Sequence, residues 1–193
     1  MNPSLPDLLK PGLKAVFCGI NPGARAAEAG HHFLGHSNRF WRVLHLAGFT
    51  PGLFRAVDDA RLLDHGFGIT AAVSRPTVKA SQVTRGEFVL AAGALKEKIE
   101  RFAPSHFAFL GKVAFAGVFN QREVAWGRQQ DSIGKTALWV LPNPSGLNRG
   151  FSLQDLITAY AALNNAIRSP ARQGTAPSVP SRLKRSDPCP LQP

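Results

Sequence analysis

The chain has 193 residues, 44% of them hydrophobic, enough for one domain with a sizeable core and short for two. Its 23 Lys and Arg against 12 Asp and Glu leave a formal net charge of +11, which favours a polyanionic partner without separating DNA, RNA or an anionic membrane. Two cysteines, no run approaching eighteen apolar residues and no basic patch leading into an apolar stretch near Met1 argue against a disulfide scaffold, a membrane-spanning helix and a signal peptide; the chain reads as soluble and cytoplasmic.

Residues 1–12 carry Pro3, Pro6 and Pro11 and read as an arm lying on the domain. Residues 14–20, KAVFCGI, form an apolar strand that ends on Asn21-Pro22-Gly23. Pro22 restricts Asn21 to extended backbone, so the strand delivers that side chain rigidly at its carboxyl end, the edge where open α/β sheets hold ligands. Residues 24–37 read as a long loop, with or without one helical turn. Phe40, Trp41, Val43, Leu44 and Ala47 then take helical spacing, with Ser37 or Asn38 available as cap and Gly48 as stop.

A second helical pattern runs through Leu53, Phe54, Val57, Leu62 and Leu63 to Gly66, and FGITAAV at 67–73 is the next strand, ended by Arg75-Pro76-Thr77. Thr84 stands three residues before Glu87, a capping-box spacing that announces a helix to about Phe102. HFAFL at 106–110 makes a third strand, and Gly111 turns the chain into a short helix through Phe119. Residues 121–135 are polar, with Trp126 and two glycines, and read as a surface excursion. TALWVL at 136–141 is a fourth strand, running into PNPSGLNRG, and Ser152 with Asp155 caps a last helix to about Ile167. Strands separated by helices predict an α/β layered domain over residues 1–167 with a mainly parallel, four-stranded sheet. Residues 168–193 hold six of the chain's 15 prolines and five basic residues against Asp187. They read as a disordered basic tail that adds either affinity for phosphate backbones or solubility.

Two Asn-Pro turns, at Asn21 and Asn143, each follow an apolar strand. Either alone is ordinary turn chemistry; together they suggest two loops converging at one sheet edge. Gly134-Lys135-Thr136 looks like the end of a phosphate-binding loop, but Gln129 stands where that loop requires glycine. No nucleotide cofactor is expected. His31, His32 and His36 have no accompanying cysteine or carboxylate cluster in the sequence, so no metal is expected either.

GINPG at 19–23, NRFW at 38–41, AGFT at 47–50, RPT at 75–77, GK at 111–112 and NPSGLNR at 143–149 resemble the mismatch-specific uracil-DNA glycosylases. These belong with the thymine-DNA glycosylases in the uracil-DNA glycosylase superfamily. The resemblance covers residues 13–167 and implies a three-layer α/β/α sandwich. It implies that Asn21 positions the water that attacks the deoxyribose C1′. An amide has little proton affinity at neutral pH, so Asn21 would orient that water through its carbonyl oxygen rather than deprotonate it. The chemistry would then be slow and driven by departure of the base.

The resemblance further implies base recognition by the backbone around Ile20 and stacking on Phe33, which without it reads as a core residue. Asn143 would line the pocket or fix its loop. Gly146, Leu147, Asn148 and Arg149 would enter the duplex, fill the vacated stack and contact the widowed guanine, with Leu147 as the wedge and Arg149 alternatively on a phosphate. The three histidines would then touch DNA or solvent. Asn148 stands where many family members carry Ser, and Ala71 follows Thr70 where bacterial relatives often carry Lys. No Lys lies beside either motif, so no lyase step is expected. The expected protein is a monomeric, cofactor-free, monofunctional glycosylase. It removes uracil from double-stranded DNA, chiefly opposite guanine, with ethenocytosine and thymine as related substrates, and so initiates base excision repair. The competing reading is a non-catalytic double-stranded DNA-binding protein.

Overall fold

The computed structural model describes residues 5–169. Five strands, β1 (Ala15–Gly19), β2 (Phe67–Ala71), β3 (His106–Leu110), β4 (Gly127–Ile133) and β5 (Thr136–Leu141), form one sheet in the order β2-β1-β3-β5-β4. The first four in that order run parallel, and β4 runs antiparallel to β5. The helices are α1 (Ala24–Ala29), α2 (Phe40–Leu46), α3 (Arg85–Phe102), α4 (Lys112–Phe119) and α5 (Leu153–Arg168), with a 3-10 segment at Ala56–His65.

Alternation along the strands splits the core in two. Ala15 and Phe17 of β1, with Trp139 and Leu141 of β5, pack under α2, the 3-10 segment and α5. Val16 and Cys18, with Leu138 and Val140, pack under α3 and α4. Both faces are covered, which is why these strands read as unbroken apolar runs, and the result is the expected three-layer α/β/α sandwich. The expected caps also form: the Thr84 and Ser152 hydroxyls accept from the N–H groups of Glu87 and Asp155, whose carboxylates reach back.

The sheet has five strands where four were expected. The fifth, β4, lies in residues read as a surface excursion, and only Gly127 and Ile133 of it are buried. An edge strand is held by backbone pairing to one neighbour rather than by side-chain burial, so apolar periodicity carries little signal for it. The opposite edge, β2, is covered by the N-terminal arm: Leu8 and Ile69 exchange backbone hydrogen bonds of 2.9 and 3.0 Å. Gly68 permits this approach, since a Cβ there would stand 2.6 Å from the Leu8 carbonyl oxygen. The expected tail lies, from residue 170 on, outside the described residues.

The two helices on the second face meet at another close contact. A Cβ on Gly117 of α4 would come within 2.5 Å of the Phe88 Cβ on α3, and Phe88 is fully buried. Gly117→Ala is therefore expected to lower stability by about 1–3 kcal/mol through overpacking. Urea unfolding measures this, and an unchanged midpoint would show that the two helices do not meet as closely as described.

Candidate active site

The carboxyl ends of the four parallel strands open into one cavity of about 280 Å³. Gly19 ends β1 and Ile20 follows it, Thr70 and Ala71 end β2, Leu110 ends β3 and Asn143 follows β5; all of them line it, together with Asn21 and Phe33.

Asn21 is held through its amide nitrogen. Nδ2 donates to Thr77 Oγ1 at 2.7 Å, to the Arg75 carbonyl at 2.9 Å and, less closely, to the Pro22 carbonyl at 3.2 Å. Thr77 donates its own hydroxyl proton to the Lys79 carbonyl at 2.9 Å, so it can only accept from Asn21. Three acceptors around one nitrogen define the amide orientation. Oδ1 accepts no hydrogen bond among the described residues and remains available to a ligand. The two turns that make this arrangement are tied by backbone bonds from Ala24 to Thr77 and from Thr77 to Pro22, at 2.9 and 3.0 Å. Farther out, Arg75 forks onto Glu87 at 2.7 and 3.0 Å, and this contact holds the Glu87 carboxyl down at about 2.

Phe33 packs as a core residue and also faces the cavity. Its ring stacks on Phe40 with centroids 3.8 Å apart. Its φ of +54° is uncommon for a side chain of this size, so the turn after Gly30 carries backbone strain to bring the ring there. The Ile20 carbonyl accepts from Val73 N at 3.0 Å, which fastens the β1 exit to the chain beyond β2.

The second loop is internally stapled. Asn143 Oδ1 accepts from Ser145 N at 2.9 Å, and its carbonyl accepts from Asn148 Nδ2 at 3.0 Å. Asn143 thus fixes the loop as well as lining the cavity, and the Asn148 amide is turned inward onto the loop. Leu147 and Arg149 point out: Leu147 is 80% exposed, and Arg149 is exposed.

Several residues at the site carried no warning in the sequence. Asp7, from the arm, reaches the cavity wall, accepts from Thr70 Oγ1 at 2.6 Å and pairs with Lys98 Nζ at 2.6 Å; Lys98 also donates to Thr70 Oγ1 at 3.2 Å. No spacing rule connects positions 7, 70 and 98. His32, expected at DNA or solvent, is instead only 7% exposed and lines the cavity. Its N–H donates to Asp59 Oδ2 at 2.8 Å, and its Nδ1 lies 3.5 Å from the same oxygen. Burial lowers its pKa against the opposing pull of Asp59, which favours the neutral ring. The turn that positions Phe33 draws His32 inward with it; His31 is partly buried beside Asp59, at 3.6 Å, and His36 is exposed. Cys18 lies beneath the site, and burial pushes its thiol pKa up, so it supplies no nucleophile at neutral pH.

The cavity thus joins an amide oxygen that accepts no hydrogen bond among the described residues, the Phe33 ring and, at Asn143 and Ser145, the base of a braced loop whose apolar tip is exposed. The family model described as Uracil DNA glycosylase superfamily matches residues 6–166 of the chain.

Proposed function

From a chain that belongs to the uracil-DNA glycosylase superfamily and is a hydrolase acting on DNA, we propose a narrower activity: release of uracil opposite guanine in double-stranded DNA, without a lyase step. The observation that carries this reading is the locked Asn21 amide, with its carbonyl oxygen free at a cavity lined by Phe33. A uracil turned out of the duplex enters the cavity and stacks on Phe33. Asn21 Oδ1 accepts a hydrogen bond from a water and aims its lone pair at C1′. The glycosidic bond breaks ahead of attack; its electron pair leaves with the uracil, and the sugar becomes oxocarbenium-like. The water then adds to C1′ and sheds its proton to solvent. Leu147 fills the gap in the stack, and Arg149 contacts the widowed guanine or a flanking phosphate. Ethenocytosine and thymine opposite guanine are the related substrates, and the enzyme works as a monomer.

End-labelled duplexes with one U·G, U·A, T·G or ethenocytosine·G pair, treated with alkali after incubation, test the reading, with a single-stranded uracil control. Abasic product is expected, fastest from U·G, and borohydride is expected to trap no covalent adduct. Tight duplex binding without product from any substrate would favour the non-catalytic reading.

Thr77 acts here through Asn21. Thr77→Val deletes the acceptor nearest the amide nitrogen and is expected to slow single-turnover base release by about 10- to 100-fold, with duplex affinity kept, while Thr77→Ser retains the rate. Equal rates for wild type and Thr77→Val would remove the hydroxyl from any part in positioning Asn21.

A further inference from the structure

Arg39 occupies an unusual place for a charged side chain. Its Nη1 donates to the Phe151 carbonyl at 2.7 Å, its Nη2 to the Asn148 and Ser145 carbonyls at 2.9 and 3.1 Å, and its Nε to the Pro144 carbonyl at 3.4 Å. Its backbone N–H reaches the same Pro144 carbonyl at 3.0 Å. All four acceptors belong to one stretch of chain, residues 144–151. A planar fork with fixed donor directions defines the path of that stretch in a way a single point charge cannot.

The seat is also closed sterically. A Cβ on Gly146 would stand 2.3 Å from Ser37 Oγ and 2.6 Å from the Ser37 carbonyl oxygen. Residues 37–39 thus form a platform on which the loop rests, and the platform is anchored by the buried Phe40 and Trp41 that follow it in α2. Leu147 stands off this platform, 80% exposed. Its presentation therefore depends on the backbone beneath it.

We infer that Arg39 is a positioning residue for opening the duplex: it holds residues 144–151 in the inserting conformation before DNA arrives. The inference rests on the glycosylase reading above. A loop ordered in advance loses little conformational freedom when it enters the stack, so more of its contact energy goes into displacing the base. That advantage matters only where a base must leave a paired stack. A uracil with no partner base needs far less help, and its hydrolysis depends on Asn21 rather than on the loop.

The test compares single-turnover uracil release from a U·G duplex with release from the same duplex carrying uracil opposite an abasic-site analogue. Arg39→Lys, which keeps the charge but loses the fork, is expected to slow the U·G reaction by about tenfold or more, the equivalent of one or two ordered side chains. Release of the unpartnered uracil should stay within about threefold of wild type, since no stacked pair has to be opened there. Gly146→Ala, which lifts the loop from the other side of the same platform, is expected to give the same selective loss. It stands in for Arg39→Lys should that variant fail to fold. Equal losses on both substrates, or no loss on either, would overturn the inference. Wild-type protein that releases uracil from neither substrate would overturn the glycosylase reading itself and this inference with it.

Discussion

Asn21→Ala is expected to lower single-turnover uracil release by about 100-fold or more, because the attacking water loses the group that orients it. Affinity for the U·G duplex should stay close to wild type. The Asn21 amide is tied to Arg75, Thr77 and Pro22, so the truncation removes the free Oδ1 without touching Phe33 or the second loop. Asn21→Asp is not expected to rescue the enzyme, although a carboxylate is the stronger base. One carboxylate oxygen would face the Arg75 and Pro22 carbonyls where an N–H donor now stands, and acceptors would oppose acceptors. Single-turnover rates beside equilibrium duplex binding decide the matter. An Asn21→Ala protein as fast as wild type would remove Asn21 from the chemistry, and one that no longer bound duplex would make it a binding residue.

Leu147→Ala is expected to act on a different step. Its side chain is 80% exposed, so the truncation should change folding stability by no more than about 0.5 kcal/mol. In the proposed complex the same side chain is buried in the vacated stack, and a buried leucine is worth about 1.5–3 kcal/mol. Release from a U·G duplex is therefore expected to fall by about 10- to 100-fold. The fluorescence of a 2-aminopurine beside the uracil, which reports unstacking, should rise less with this variant than with wild type. With Asn21→Ala the fluorescence change should survive while release does not, so the two variants separate extrusion from hydrolysis. A Leu147→Ala protein that releases uracil from U·G at the wild-type rate would end the wedge assignment.

The parallel strands and the two capping boxes were legible because each is written in neighbouring residues. β3 and β5 follow apolar runs that burial on both faces requires, and Thr84 and Ser152 meet partners three positions on. Asn21 could be placed at a strand's carboxyl end for the same local reason. β4 was hidden because an edge strand needs backbone pairing more than apolar side chains. Thr77 was visible only as part of a motif, and its hold on an amide 56 positions away emerges when β1 and β2 lie side by side. Arg39 and Asp7 were illegible for a stronger reason: their partners are carbonyls or side chains brought near by topology, and no periodicity records such meetings.

The strand order carries one more consequence. Asn21 leaves β1, whereas the loop proposed as the wedge leaves β5, the last strand among the described residues, which must slot between β3 and β4. A polypeptide interrupted before β5 holds Asn21, Thr77 and even Arg39, but not the loop proposed to part the base pair. Synthesis runs from the amino end, so the loop proposed as the wedge is delivered after the rest of the cavity. On that proposal, a chain that stops before β5 can hold the catalytic amide yet leave a duplex closed.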